Sequence, residues 1–288
     1  MANKTFHTKT RAVVMCLLSF VLSIMLFVLS LCVVLTATLF NPHFILNNID
    51  KTEYYSYKCE EITEDLIDLG YASGLNEEFF DGLIDTEMIS IDTGNYIQDY
   101  YSGESLHIDL TNFKETFNTA LDEYIKENNI TEVDEQNRNY LVNNAAAIYR
   151  YSLDLPFFGR LSSYFQFAKK GLPIAVIVLS LLSAGICVVF FISNTRKHLA
   201  VKYICHATSG AFLALVLIPV LILFSDILNK INFSAQSLYH LFLQCGNSLC
   251  TAFFIGSALL LIVSIVLFIQ YKILHKKQIN KTIKLHPD

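Results

Sequence analysis

Residues 12–40 read AVVMCLLSFVLSIMLFVLSLCVVLTATLF, 29 positions without a charged side chain. A cleaved secretory signal has an apolar core of about 7 to 15 residues. A run of this length, rising about 1.5 Å per helical residue, crosses a hydrocarbon core of about 30 Å with some tilt. The stretch therefore reads as a retained anchor. Ser23, Ser30 and Ala37 recur every seven positions, marking a face that another helix can approach closely. Asn41 and Pro42 are expected to end the helix.

Of the 288 residues, 53% are hydrophobic and only 16% charged, which places the chain among membrane proteins. Three further apolar runs, residues 171–194, 199–224 and 249–271, are each long enough to span. Basic residues flank the runs: Lys4, Lys9 and Arg11, then Arg196, Lys197 and Lys202, then Lys272, Lys276, Lys277, Lys281 and Lys284. With four spans all three clusters fall on one side, and the excess of Lys and Arg in cytoplasmic loops makes that side the cytoplasm. Lys169, Lys170 and Lys230 lie on the other side, too few to reverse the orientation.

The expected order is a cytoplasmic tail (1–11), the first span (12–40), an extracytoplasmic helical domain with an interfacial segment (41–170) and the second span (171–194). A cytoplasmic turn (195–198), the third span (199–224), an outer loop (225–248), the fourth span (249–271) and a basic cytoplasmic tail (272–288) follow. The fold class is an all-α membrane protein with four transmembrane helices. Its expected location is the plasma membrane, with both termini cytoplasmic.

Residues 50–165 hold 24 of the 26 Asp and Glu but only 7 Lys and Arg. Leu110, Phe113, Phe117, Ala120 and Tyr124 step by three and four, the stripe of a half-buried helix. Leu141, Ala145 and Ile148 mark a second helix, opened by Thr131 with Asp134 three residues on, close to a capping box. Tyr55, Cys59, Ile62, Leu66 and Leu69 mark a third, ended by Gly70. Shorter helices are expected over residues 76–84 and 86–101, the latter closed by Gly103. About 116 residues suffice for a core of their own, and twelve of the fifteen tyrosines lie here. Pro156 to Phe165 reads as an amphipathic stretch on the outer membrane surface. In the second outer loop, Ser234 is expected to cap a short helix through Leu238, Leu241, Phe242 and Cys245, placed to pack under the acidic domain. Small-residue pairs Ser180 and Ala184, Gly210 and Ala214, and Ala252 and Gly256 fit close helix packing.

Most sites of chemistry are excluded by what the sequence lacks. Asp92-Thr93-Gly94 matches the aspartic protease triplet, but it occurs once, in a helical setting, whereas that chemistry needs two carboxylates sharing a proton. No H-E-x-x-H, G-x-S-x-G or phosphate-binding glycine loop occurs, and His43, His107 and His240 stand apart. No catalytic residue, metal ligand or cofactor site is expected, so the chain reads as a non-enzyme. The spans carry no ionisable residue near their centres. His206, one turn beyond Lys202, reaches the interface instead. The short basic clusters hug membrane ends, which argues against nucleic acid as a partner.

Five of the seven cysteines lie in apolar runs, where a thiol behaves as a small hydrophobe. Two readings stay open for Cys59 and Cys245: a disulfide between them, or two unrelated thiols. The acidic patches, Glu60, Glu61, Glu64, Asp65, Glu77 and Glu78 among them, are either solvated surface or an interaction surface.

The run Ser73 to Ile84, SGLNEEFFDGLI, continuing through Tyr96-Ile97-Gln98-Asp99-Tyr100-Tyr101-Ser102-Gly103, resembles segments of uncharacterised four-span membrane proteins of low-GC Gram-positive bacteria. The resemblance covers the outer domain and the second span, and implies a bacterial plasma membrane but no activity. The layout of one span, a large outer domain and three spans is also similar to permease subunits of the MacB and FtsX type. This chain departs from them in its short, helical outer domain and in the brief loop at residues 195–198. The leading expectation is a non-enzymatic protein that contacts an envelope or membrane partner, or senses a ligand, through its acidic outer domain. A permease-like subunit of a transport complex is the alternative, and a membrane-embedded hydrolase the remote one.

Overall fold

The computed structural model describes residues 2–155, 158–231 and 233–285. Among these the secondary structure is helical throughout, with no strand. Contacts divide the chain into two compact units. A span unit comprises Met1–Phe40, Lys169–Lys230 and Gly246–Asp288, and a helical unit comprises Asn41–Ala168 and Ile231–Cys245.

The span unit draws on α1 (Ala2–Ala37), α7 (Phe158–Ser193), α8 (Lys197–Ser225), the single turn α9 (Ile227–Lys230) and α10 (Gln236–Leu285). Among the described residues four stretches are long and apolar enough to cross a membrane: Arg11–Ala37, Ser162–Ser193, Lys197–Ser225 and Gln236–Asn280. They contain the four expected spans except at the ends of the first two. α1 stops at Ala37, and Asn41 is the N-cap of a new helix whose first residue is Pro42, its side chain accepting from the His43 N–H at 3.1 Å. Proline suits a helix start because its missing N–H has no partner to lose there. Asn194 lies just beyond α7, its amide folded back onto the Phe190 carbonyl at 2.9 Å.

α1 packs chiefly on α8. Ser19 donates to the Tyr203 carbonyl at 2.7 Å, Ser23 lies against Gly210, and Val34 shares a cluster with Leu215, so contacts advance together and the two helices run parallel. A side chain at Gly210 would meet Ser23 Oγ at 2.5 Å, and one at Gly256 would meet Val34 Cγ2 at 3.0 Å. The small residues thus set the approach distance, which in lipid takes the place of a hydrophobic driving force. The pair Ser180 and Ala184 is different: both are exposed, and Ser183 is the buried small residue of α7, one helical turn or two from Ile186, Cys187 and Phe190 on the packed face. Ser264 of α10 donates to Thr208 at 2.8 Å and its carbonyl accepts from Cys205, tying α10 to α8.

The helical unit contains α2 (Pro42–Ile49), α3 (Tyr54–Ser73), a 3-10 turn (Glu77–Phe80), α4 (Thr86–Ser102), α5 (Thr111–Glu127) and α6 (Glu135–Leu153), with the start of α7 and residues 231–245. One core joins them. Ile62 and Leu66 of α3, Ile89 and Ile97 of α4, Phe113 and Phe117 of α5, and Tyr149 and Leu153 of α6 are almost fully buried. Each such side chain contributes about 1.5–3 kcal/mol by leaving water. Phe113 stacks on Tyr149 with centroids 4.5 Å apart, and Phe79 meets Phe117 edge-on at 5.6 Å.

Several ends differ from expectation. α3 continues past Gly70 to Ser73, and Gly74, at φ 80°, takes the left-handed cap, with the Leu75 N–H bonded back to the Gly70 carbonyl. Gly70 is needed for space instead, since a Cβ there would lie 2.4 Å from Phe80 Cζ. Residues 76–84 form only the 3-10 turn, because the chain reverses at Gly82 (φ 71°) and Asp85 then caps α4 by accepting from the Met88 N–H at 2.6 Å. α6 is capped by Asp134 rather than Thr131. Asp134 stands directly before the first helical turn, and its carboxylate accepts from Gln136 N–H at 2.9 Å. Gly103 closes α4, as expected.

In the proposed interfacial stretch, Pro156 and Phe157 lie outside the described residues. Phe165 does not lie free: its ring packs on Tyr100 and Tyr101 at 4.6 and 4.9 Å, and Gln166 donates to the Tyr100 carbonyl at 2.7 Å. This helix covers apolar tyrosine surface at the end of α4. The short helix expected to follow Ser234 is the beginning of α10, which runs 50 residues without a break.

Candidate functional site

α5 presents two faces. Phe113, Phe117 and Leu121 enter the core, while Asn112, Glu115, Thr119, Glu123 and Glu127 recur at helical spacing on another side. That polar face and the turn at residues 76–83 wall a groove of about 830 Å³. Its lining includes five carboxylates, Glu78, Asp81, Glu115, Glu123 and Glu127, over an aromatic floor of Phe79 and Tyr124, which meet edge-on at 5.5 Å. Among the described residues no Lys or Arg lines it.

Lys126 stands exposed in the last turn of α5, next to Glu127, and four other cations of the unit have partners outside the groove. Lys58 binds Glu61 at 2.6 Å, Lys114 donates to Asn143 at 3.0 Å, Arg138 pairs with Asp122 at 2.8 Å and reaches Asn118, and Arg150 sits over the Tyr151 ring. The groove's carboxylates are therefore uncompensated by these four. Like charges held on one wall within about a Debye length, roughly 10 Å at 0.1 M salt, sum to a field that attracts cations.

The six acidic residues singled out from the sequence do not form one site. Glu78 lines the groove. Glu77 accepts from the Tyr71 hydroxyl. Glu60, Glu64 and Asp65 are exposed on α3. Glu61 is a structural residue: besides Lys58 it accepts from the Ser237 N–H at 3.0 Å and the Ser237 hydroxyl at 2.8 Å. Burial alone would raise its pKa, but the hydrogen bonds from Lys58 and Ser237 outweigh it and hold the carboxyl below its ordinary value. Glu115, Glu123 and Glu127 were not singled out. Their four- and eight-residue spacings put them on one helix face, and that is the signal that finds them.

Asp92-Thr93-Gly94 lies in the middle of α4. Asp92 accepts from the Tyr149 hydroxyl at 2.7 Å, and burial pushes its pKa up. A matching bond joins Tyr96 to Asp154 at 2.5 Å, so both carboxylates pin α4 to the α6 region rather than facing a substrate. Among the described residues no group of three His, Cys, Asp or Glu is placed to hold a metal ion. His240 stacks on Tyr57 at 5.0 Å. Cys59 and Cys245 are both free thiols; Cys59 donates weakly to the Ile84 carbonyl at 3.3 Å, and burial raises its pKa.

Compared with protein-family models, with curated proteins and with solved structures, the chain matches none.

Proposed function

We propose that this is a non-enzymatic, multi-pass plasma-membrane protein whose helical unit faces outward and binds a cationic segment of a membrane or envelope partner in the acidic groove. The orientation rests on the three basic clusters, at residues 4–11, 196–202 and 272–284, which four spans bring to one side. The single observation that carries the binding reading is the groove of about 830 Å³ with five carboxylates and, among the described residues, no cation in its lining. Its aromatic floor adds contact area for the methylene stems of Lys or Arg.

The test uses the full-length protein in lipid nanodiscs titrated with a lysine-rich peptide. Binding is expected to weaken steeply with salt, and Glu115→Gln/Glu123→Gln/Glu127→Gln is expected to weaken it about 3- to 150-fold, since each lost charge contact contributes roughly 0.2–1 kcal/mol. Glu60→Gln/Glu64→Gln/Asp65→Asn, on α3, should leave it within twofold, roughly the change produced by one exposed contact. Equal losses in the two triple variants would show a diffuse charge effect and overturn the groove as the site.

A further inference from the structure

A second groove, of about 470 Å³, lies within the span unit between α1 and α8. Phe20, Ile24 and Phe27 line it from α1 and Ala214 from α8, while Tyr203 and His206 line it toward the start of α8. Ser23 against Gly210 belongs to the same lining, so the close approach of two small residues leaves a channel between bulkier neighbours.

We propose that this groove holds one anionic phospholipid, with an acyl chain lying along it and the headgroup at its cationic end. Three observations carry the proposal. The lining runs from Cys16 to Phe27 on α1 and from Tyr203 to Ala214 on the parallel α8, which at 1.5 Å per residue is about 17 Å, close to half the hydrocarbon core and thus one leaflet. Volume over length gives a mean cross-section of about 28 Å². That accepts a hydrocarbon chain, whereas a transmembrane helix about 10 Å across presents nearly three times that area. The charge is one-sided. Lys202 stands one helical turn before His206, Arg11 is close enough to Tyr203 to interact with it electrostatically, and neither α1 nor α8 contains an acidic residue.

The chain has no tryptophan, so a single introduced one reports its surroundings without background. Ile24→Trp and, separately, Phe20→Trp replace groove-lining side chains that are 47% and 65% exposed, and Leu181→Trp replaces one on α7 that is 69% exposed. The full-length variants are reconstituted in phosphatidylcholine vesicles containing phosphatidylglycerol or phosphatidylcholine with brominated acyl chains, whose bromines quench tryptophan on contact. Both groove tryptophans are expected to reach half-maximal quenching at about thirtyfold lower mole fraction of the anionic lipid, from roughly 1 kcal/mol for each of the two nearby cations. Arg11→Gln/Lys202→Gln should erase the preference while leaving quenching in place, and Leu181→Trp should show no preference. Equal quenching by the two lipids at positions 20 and 24, or the same preference at 181, would overturn the proposal. So would groove tryptophans that neither lipid reaches, the outcome if a second copy's helix covers the face. The vesicles carry brominated lipid in both leaflets, so the result is independent of orientation and of the acidic groove's partner.

Discussion

Ser237 donates to Glu61 twice, through its N–H at 3.0 Å and its hydroxyl at 2.8 Å, joining positions 176 residues apart. Lys58, only 3% exposed, binds the same carboxylate. A segment read from sequence as an outer loop is thereby part of the helical unit's polar framework, with Leu241 in its core.

Glu61→Gln is expected to destabilise the protein by about 2–4 kcal/mol near neutral pH, because it leaves the buried Lys58 ammonium without its counter-charge. The Glu61 carboxyl is held below its ordinary pKa in the folded state. Its contribution is therefore present above the unfolded-state value and disappears as pH falls through the lowered one. Thermal unfolding of wild type and variant in detergent from pH 7 to pH 3 checks this. The gap in Tm should close toward the acid end, and a gap constant with pH would reject the ionic explanation.

Gly210→Ala is expected to cost about 1 kcal/mol, since the new methyl meets Ser23 Oγ at 2.5 Å and the hydroxyl must turn aside from its rotamer. Ser23 Cβ is 3.5 Å away, an ordinary contact. The double variant Gly210→Ala/Ser23→Ala should therefore recover most of the loss. Melting temperatures of the four proteins in one detergent give the cycle, and additive losses would deny the pairing of α1 with α8 through these residues.

Orientation is checked by single-cysteine labelling in a background with the seven native cysteines replaced. A membrane-impermeant maleimide applied to intact cells is expected to modify Ser73→Cys, at the exposed end of α3, and to spare Asn280→Cys. The reverse pattern would invert the topology and place the acidic groove in the cytoplasm.

Hydrophobic spacing located α3, α5 and α6 of the acidic segment but not all of their ends. The stripe Tyr55, Cys59, Ile62, Leu66 and Leu69 finds α3, yet the faces actually buried centre on Tyr54, Lys58, Ile62, Leu66 and Gly70. A buried lysine violates the pattern: its counter-charge, Glu61, stands three residues on, but the Ser237 that fixes that carboxylate comes from the far end of the chain. Glycines misled for a related reason. Gly70 reads as the helix terminator, yet the position of Phe80 shows that it serves space, while Gly74, at positive φ, takes the cap. The acidic groove was half legible: Glu78 was singled out, while Glu115, Glu123 and Glu127 were passed over because a charged helix face usually only meets water.

The sequence by itself determined the four long apolar helices, though not how far α7 and α10 extend beyond their apolar runs, together with the helical character of the acidic segment. Those properties follow from local composition and period, and apolar length against a hydrocarbon thickness is a one-dimensional criterion. Tertiary structure alone decided which carboxylates are spent on the framework and which remain in a groove. It also decided that residues 231–245 join the helical unit and that Ser23 meets Gly210. Such pairings depend on chain segments distant in sequence, whose encounter no local pattern encodes.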